Sequence, residues 1–126
     1  INHYQLQDYV TMPGYVHDRD LASYYQNADL YVFPSVNEGF GLPVLEAFQY
    51  ELPVIVANNT SLPEVGGDAV LQFDPYDATD LFNKLKMVID NDLLRSEMIE
   101  KGRKRLEDFS WEKTANELMS LFKKVK

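Results

Sequence analysis

The sequence contains no cysteine, so neither a disulfide framework nor a thiolate-bound metal is open to it. It has only two histidines, His3 and His17, with no partner at ligand spacing, and both read as surface or structural residues. No apolar run approaches the about 18 residues that a membrane-spanning helix needs. The longest are short stretches such as Pro53-Val-Ile-Val-Ala57, and no charged-then-apolar start marks a signal peptide. Positive charge is scarce in the first two-thirds, where Arg19 is the one basic residue among positions 1–83, against twelve Asp and Glu. That stretch carries −11 and the whole chain −8, a balance that argues against a nucleic-acid-binding surface. Internal repeats, low-complexity tracts and domain linkers are missing too.

What is present is the material of one globular domain. With 126 residues, of which 45% are hydrophobic and 25% charged, the chain can bury roughly two-thirds of its unfolded surface. It opens on Ile1 and enters a strand-like pattern almost at once, so it reads as a piece of a longer polypeptide. Residues 84–126 carry a net +3, concentrated in Lys101, Arg103, Lys104 and Arg105 and again in Lys123, Lys124 and Lys126. These are expected to be solvated helix faces with partners one turn away, such as Glu97–Lys101 and Glu100–Lys104, a membrane-surface patch being the alternative.

Four short runs rich in β-branched and aromatic residues, at 9–13, 30–33, 53–57 and 70–73, are bounded by Gly, Pro, Asn or Asp and read as strands. Helical periodicity falls between them, at about 19–28 (Leu21, Tyr24, Tyr25, Ala28) and about 42–50 (Leu42, Leu45, Ala47, Phe48). Alternation of helix with near-continuous apolar strands predicts an α/β fold, a Rossmann-like parallel sheet with flanking helices. A helical C-terminal segment follows. One helix starts at Asp77, with Asp80 three residues on as an N-cap pair and an apolar face of Leu81, Phe82, Leu85, Val88 and Ile89. A second spans about 92–108, and a third starts at Ser110 with Ala115, Leu118, Met119, Phe122 and Val125 at helical spacing. These three helices are expected to cover a face of the sheet.

The chemically informative stretch is Phe33-Pro-Ser-Val-Asn-Glu-Gly-Phe-Gly-Leu-Pro-Val-Leu-Glu-Ala47. A strand ends at Phe33, a loop carries Glu38, and a helix begins near Leu42 with Pro43 in its first turn, where a missing N–H costs little. In a parallel sheet, ligands bind beyond the carboxyl ends of strands, where loops meet helix N-termini. The free amides of Gly39, Phe40, Gly41 and Leu42, with the positive end of the helix dipole, suit a phosphate group. Glu38 and Glu46 would repel an anion unless they contact something neutral, and sugar hydroxyls fit that need. Two carboxylates for hydroxyls and a row of amides for a diphosphate describe a sugar nucleotide. The plainer alternative is a loop acid at 38 and, at 46, an acid near the helix start that favours the dipole.

Other candidates have plainer readings. Asp18-Arg-Asp20 and Asp90-Asn-Asp92 both have the spacing of a cation-binding carboxylate pair, but each falls at a helix start or between helices, where Asp serves as a cap. Glu64, in Leu62-Pro-Glu-Val65, orients a neighbouring loop in this reading. The aromatics Tyr24–Tyr25 and Phe48–Tyr50 fit packing better than sugar stacking.

The order Gly14-Tyr-Val-His-Asp18, Leu21 to Leu30, Pro34-Ser35, Glu38 to Ala47, Pro53 to Val56, Leu62 to Val65 and Phe109-Ser-Trp-Glu112 resembles the C-terminal donor-binding domain of the family-4 retaining glycosyltransferases. These are the group 1 sugar transferases of GT-B architecture, and the resemblance runs from Tyr9 to about Trp111. It implies that residues 1–126 form a single partial domain, the nucleotide-sugar-binding half of a larger two-domain enzyme. By the resemblance, Glu38 touches hydroxyls of the transferred sugar and is the residue of the catalytic centre present here. The backbone around Gly39, Phe40, Gly41 and Leu42 holds sugar and diphosphate, Glu46 binds the ribose, and Val16 with Asp18 nearby forms the nucleobase-side wall.

The implied reaction transfers a sugar from a nucleotide diphosphate with retention, without a metal and without a cofactor. Its implied partners are the nucleotide-diphosphate sugar and an N-terminal acceptor domain of the same polypeptide, with no nucleic acid. The implied location is cytoplasmic, with peripheral association at the inner face of the membrane as an alternative. The family's basic diphosphate clamp lies upstream of the residues present, so this chain is expected to hold half a donor site and to be inactive alone. The resemblance also sets two strands between those at 9–13 and 30–33. Their absence would leave a gap that the first strand closes by direct pairing or another chain fills. A non-catalytic nucleotide- or partner-binding α/β module is the competing reading, and a sugar-nucleotide epimerase a third.

Overall fold

A computed structural model describes residues 1–125, so Lys126 of the basic cluster lies outside the described residues. The elements run in order as α1 (Asp18–Gln26), β1 (Tyr31–Phe33), α2 (Leu42–Gln49), β2 (Val54–Ala57), α3 (Leu62–Gly66), β3 (Val70–Phe73), α4 (Ala78–Ile89), α5 (Asp92–Leu106) and α6 (Trp111–Lys124). Short 3₁₀ turns occupy Asn2–Tyr4 and Gly67–Ala69.

The three strands form one parallel sheet in the order β1-β2-β3, with Tyr31 opposite Val54 and Val54 opposite Val70. The central strand explains the architecture. Val54, Ile55, Val56 and Ala57 are all buried, as a β-branched run covered on both faces must be. Val44, Ala47 and Phe48 of α2, Leu62 and Val65 of α3, Val88 of α4 and Met98 of α5 complete the core around it. The α/β class and the parallel sheet expected from the alternation are therefore present.

The expected strand at 9–13 does not form. Residues 5–17 carry no regular secondary structure, and Tyr9 and Met12 stand 84% and 79% exposed. A three- to five-residue strand is held by its neighbours' hydrogen bonds and not by its own propensity, and none is supplied here. Direct pairing, the first expected remedy, does not operate among the described residues: the segment does not pair with β1, which stays an edge strand with all three residues only half-buried.

Capping follows the side-chain chemistry closely. Asp77 Oδ1 accepts from the N–H groups of Thr79 (2.8 Å) and Asp80 (3.2 Å), Asn91 Oδ1 from Leu94 (3.0 Å), and Ser110 Oγ from Lys113 (3.0 Å). Asp80 does not reach back to the cap itself; it accepts the N–H of Asp74 at 2.8 Å and so ties the β3–α4 turn. Of the two paired-aspartate motifs, Asp18 and Asp20 lie in the first turn of α1, while Asp90 and Asp92 flank the cap Asn91. Asp92 pairs with Arg95. The acids therefore sit at helix ends as expected, although in neither motif is an aspartate the N-cap.

Of the three C-terminal helices, α4 packs on β3 and α5 on α2 and α4, but α6 has no such packing among the described residues. No residue of α6 is buried, and Leu118, Met119, Leu121 and Phe122 are each more than half exposed. Its 3.6-residue apolar stripe is present, with no partner among the described residues to receive it. On α4 only part of the expected face is used, since Val88 is buried while Phe82 and Ile89 remain about 60% exposed. The basic surplus of α5 is a solvated face in part: Lys104 pairs with Glu100 as expected, whereas Lys101 pairs with Asp68 and not Glu97.

α2 and α5 meet through Gly102, where an added Cβ would lie 2.7 Å from Phe48 Cδ1. Alanine is favoured over glycine in a helix by about 1 kcal/mol. Overpacking against a buried ring costs about 1–3 kcal/mol. Gly102→Ala should therefore destabilise the fold by up to about 2 kcal/mol in urea unfolding, and a higher midpoint would show that Phe48 can move aside.

Candidate functional site

The carboxyl end of β1 leads into the loop at 34–41 and then α2, and Gly41 makes the junction. It is the N-cap of α2 at φ 102°, and a Cβ there would sit 2.7 Å from Leu62 Cδ2. Both the left-handed backbone and the close approach require glycine. Gly39 has open space beside its Cα and no such constraint.

The β2–α3 loop holds this segment from behind. Asn59 Nδ2 donates to the Val36 carbonyl at 2.6 Å, and Thr60 Oγ1 accepts the Glu38 N–H at 3.2 Å. The Ser61 hydroxyl donates to the Phe40 carbonyl at 2.9 Å, with the Glu38 carbonyl 3.2 Å away. In a trans peptide the carbonyl and the next N–H point in opposite directions. Turning the Glu38 and Phe40 carbonyls toward Ser61 therefore turns the Gly39 and Gly41 amides away from it. Among the described residues, the N–H groups of Gly39, Phe40, Gly41 and Leu42 have no protein acceptor. Thr60 adopts φ 48°, a left-handed conformation that costs a β-branched residue about 1–3 kcal/mol, and its hydroxyl is one of the loop's fastenings.

A second fastening comes from the end of α5. Arg105 donates to the carbonyls of Val65 (Nε, 3.0 Å) and Glu64 (Nη2, 2.7 Å), which closes the C-terminus of α3, and pairs with Asp108 at 2.6 Å. Its guanidinium lies 4.8 Å over the Phe109 ring, and Phe109 meets the Phe40 ring edge to face at 5.8 Å. Phe40 is thereby braced from the α5–α6 joint. Glu64 works through its carbonyl, consistent with a loop-orienting part.

Glu46 lies one helical turn beyond Leu42, half-buried, and its Oε2 accepts a hydrogen bond from the Tyr25 hydroxyl at 3.0 Å. Tyr25 is 8% exposed and stacks on Tyr50 with centroids 5.1 Å apart. Burial, then the hydrogen bond to Glu46, pushes the Tyr25 phenol well above its ordinary range. Tyr31 on β1 is pushed up as well, chiefly by burial, with further contributions from the charges of Glu46 and Glu38. Both glutamates thus act on one tyrosine at the end of the sheet. The aromatics pack on one another, as the sequence suggested.

Val16 is half-buried in the segment before α1, and Asp18 is the exposed first residue of α1. Among the described residues no hydrogen bond or ion pair links either to Glu38–Leu42. Asn59, Thr60, Ser61, Arg105 and Tyr25 were not singled out as site residues from the sequence. The polar run directly after a buried strand was the available signal for the first three. The face carrying these groups is open surface. Two depressions lie away from these groups, one of about 420 Å³ at the opposite end of the sheet bordered by Asp29, Glu51 and Arg95, and one among residues 1–12. Among the described residues no cluster of three or more His, Asp or Glu could hold a metal ion, and no helix is long and apolar enough to cross a membrane.

Comparison with known proteins places this geometry. The family model for "Glycosyl transferases group 1" matches residues 1–105. The O-antigen chain mannosyltransferase B of Escherichia coli is 40% identical over 110 residues, 87% of this chain and 29% of that protein. Sucrose-phosphate synthase from Thermosynechococcus elongatus superposes with a TM-score of 0.86 at 30% identity, over 98% of this chain and 32% of the other. The C-terminal domain of a group 1 glycosyl transferase from Francisella tularensis gives 0.74 at 26% identity, over 85% and 56%. The chain thus spans under a third of the mannosyltransferase it matches. With a family model covering five-sixths of its length and a GT-B, Rossmann-like parallel sheet, this chain belongs to the group 1 glycosyltransferases.

Proposed function

We propose that this chain is the donor-binding half of a two-domain glycosyltransferase and that its site takes a nucleotide-diphosphate sugar. The observation that carries the reading is the row of unpartnered amides from Gly39 to Leu42 at the start of α2, with Glu38 before it and Glu46 one turn behind. The diphosphate lies on the amides of Phe40, Gly41 and Leu42, where the helix dipole adds to their pull. As the bond from the anomeric carbon to the diphosphate oxygen breaks, negative charge grows on that oxygen, and fixed amides stabilise it without reorganising. Glu46 accepts from the ribose hydroxyls and Glu38 from those of the transferred sugar.

The open surface here suits a ligand clasped between two halves, the other supplied by an acceptor domain. Val16 and Asp18 border the nucleobase in this reading. Retention, independence of metal and a cytoplasmic setting belong to the reading on the resemblance alone.

Three outcomes test the assignment in the full-length protein. In a complex with a nucleoside diphosphate, the phosphates lie at the start of α2, and phosphates at the strand-start edge would overturn the reading. Glu46→Ala weakens donor binding by about 1–3 kcal/mol by calorimetry, and Glu46→Gln by less, because a charge-assisted acceptor is lost or only weakened. Glu38→Ala lowers turnover at saturating donor more than it lowers nucleotide affinity, since ground-state binding comes mainly from the nucleotide. Unchanged turnover would remove Glu38 from the sugar.

A further inference from the structure

Glu46 on α2 is half-buried, and the side-chain hydrogen bond it accepts reaches it from α1. Tyr25 lies 21 residues before Glu46 in sequence, is 8% exposed, and places its hydroxyl 3.0 Å from Glu46 Oε2. Its ring has no freedom to do otherwise. It stacks on Tyr50 at an interplanar angle of 5° and meets Tyr31 at 5.7 Å, so the hydroxyl is aimed by packing on two sides.

We propose that Tyr25 is a positioning residue of the donor site, whose hydroxyl fixes one carboxylate oxygen of Glu46 so that the other is presented to the ligand. The inference rests on the ribose assignment of Glu46 made above. A free glutamate on a helix samples several rotamers, and ordering a long side chain on binding costs about 0.5–1.5 kcal/mol. A buried donor that already holds Oε2 removes much of that cost before the ligand arrives. It also divides the work of the carboxylate: Oε2 is engaged from the protein side, and Oε1 retains both lone pairs for hydroxyl donors. The phenol stays a donor throughout the physiological range, because burial and the adjacent carboxylate both disfavour its ionisation. The ligand class this suits is one with vicinal hydroxyls that reach a pre-set acceptor, as on a ribose.

The test is a double-mutant cycle in the full-length protein, with nucleoside diphosphate affinity read by calorimetry and donor KM and kcat read by acceptor glycosylation. Tyr25→Phe keeps the ring and its stack, so the unfolding midpoint should move little while nucleotide Kd and donor KM rise about three- to tenfold, the scale of ordering one long side chain on binding. Turnover at saturating donor should stay within about twofold, since Glu46 does not touch the transferred sugar. In the Glu46→Ala background, Tyr25→Phe should change affinity no further. A Tyr25→Phe variant with unchanged affinity, beside a Glu46→Ala variant that binds weakly, would overturn this inference and leave the ribose assignment standing. An equal loss in both backgrounds would show that Tyr25 acts other than through Glu46 and would also overturn it. Unchanged affinity in Glu46→Ala alone would remove the ribose assignment, and the inference with it. Should Tyr25→Phe unfold, a crystal structure of the unmutated protein with nucleoside diphosphate provides a second readout: the Tyr25 hydroxyl on one Glu46 oxygen with the ribose on the other supports the positioning role, and both Glu46 oxygens turned to the ribose with Tyr25 released overturns it.

Discussion

The turn at Gly41 is the constraint on which the site and much of the fold depend. Its φ of 102° and the 2.7 Å that a Cβ would leave to Leu62 Cδ2 exclude every other residue at normal geometry. Because the chain reverses there within one residue, α2 starts directly beyond the end of β1, and its unpaired amides gather at that end of the sheet. Because Leu62 can press against Gly41, α3 lies close enough for the polar residues before it to reach the loop. The same turn fixes the rotation of α2. Glu46, four residues past Leu42, then falls on the side from which Tyr25 reaches it.

A loop of glycines would otherwise be the softest part of such a site, and here it is tied from two directions. Asn59, Thr60 and Ser61 hold three of its backbone carbonyls and one amide, which orients the remaining amides by peptide planarity alone. From the other side, Phe109 braces Phe40 and is itself held by Arg105, whose remaining donors close α3. Phe109 is the last residue but one before α6. The joint from which the amphipathic helix departs therefore touches the same loop on which the diphosphate is proposed to lie.

Local chemistry was legible in the sequence, and long-range pairing was not. The run Val54-Ile-Val-Ala57 could only be a strand buried on both faces, and Asp77 and Ser110 announced their caps, because those outcomes depend on a few neighbouring residues. The glycine-bounded loop before α2 was likewise readable. Residues 9–13 carry strand composition, but a strand exists only when another strand accepts its hydrogen bonds, and the sequence does not say whether one is at hand. The stripe on α6 showed that a face is apolar without showing what lies against it. Tyr25 acts on a residue 21 positions away and Arg105 on residues 40 and 41 away, and nothing local marks them. Arg105 in particular was grouped with exposed neighbours, although its head is spent on the helix-end carbonyls of Glu64 and Val65.

The distribution of charge decides how such a site can hold an anion. Residues 1–83 have one cation, Arg19, and it is exposed beside Asp20 at 3.5 Å. The one guanidinium near the loop, Arg105, already serves two carbonyls and a carboxylate. What these residues offer a diphosphate is therefore neutral: backbone amides and a helix end, worth about 0.3–1 kcal/mol where exposed. Against that stand two carboxylates, whose repulsion is avoided only if each is occupied by hydroxyl donors. In the proposed reading the nucleotide is then held at its ends, through ribose on Glu46 and sugar on Glu38, while the middle is guided by geometry. In the same reading the fixed amides both orient the leaving group and stabilise the charge that grows on it.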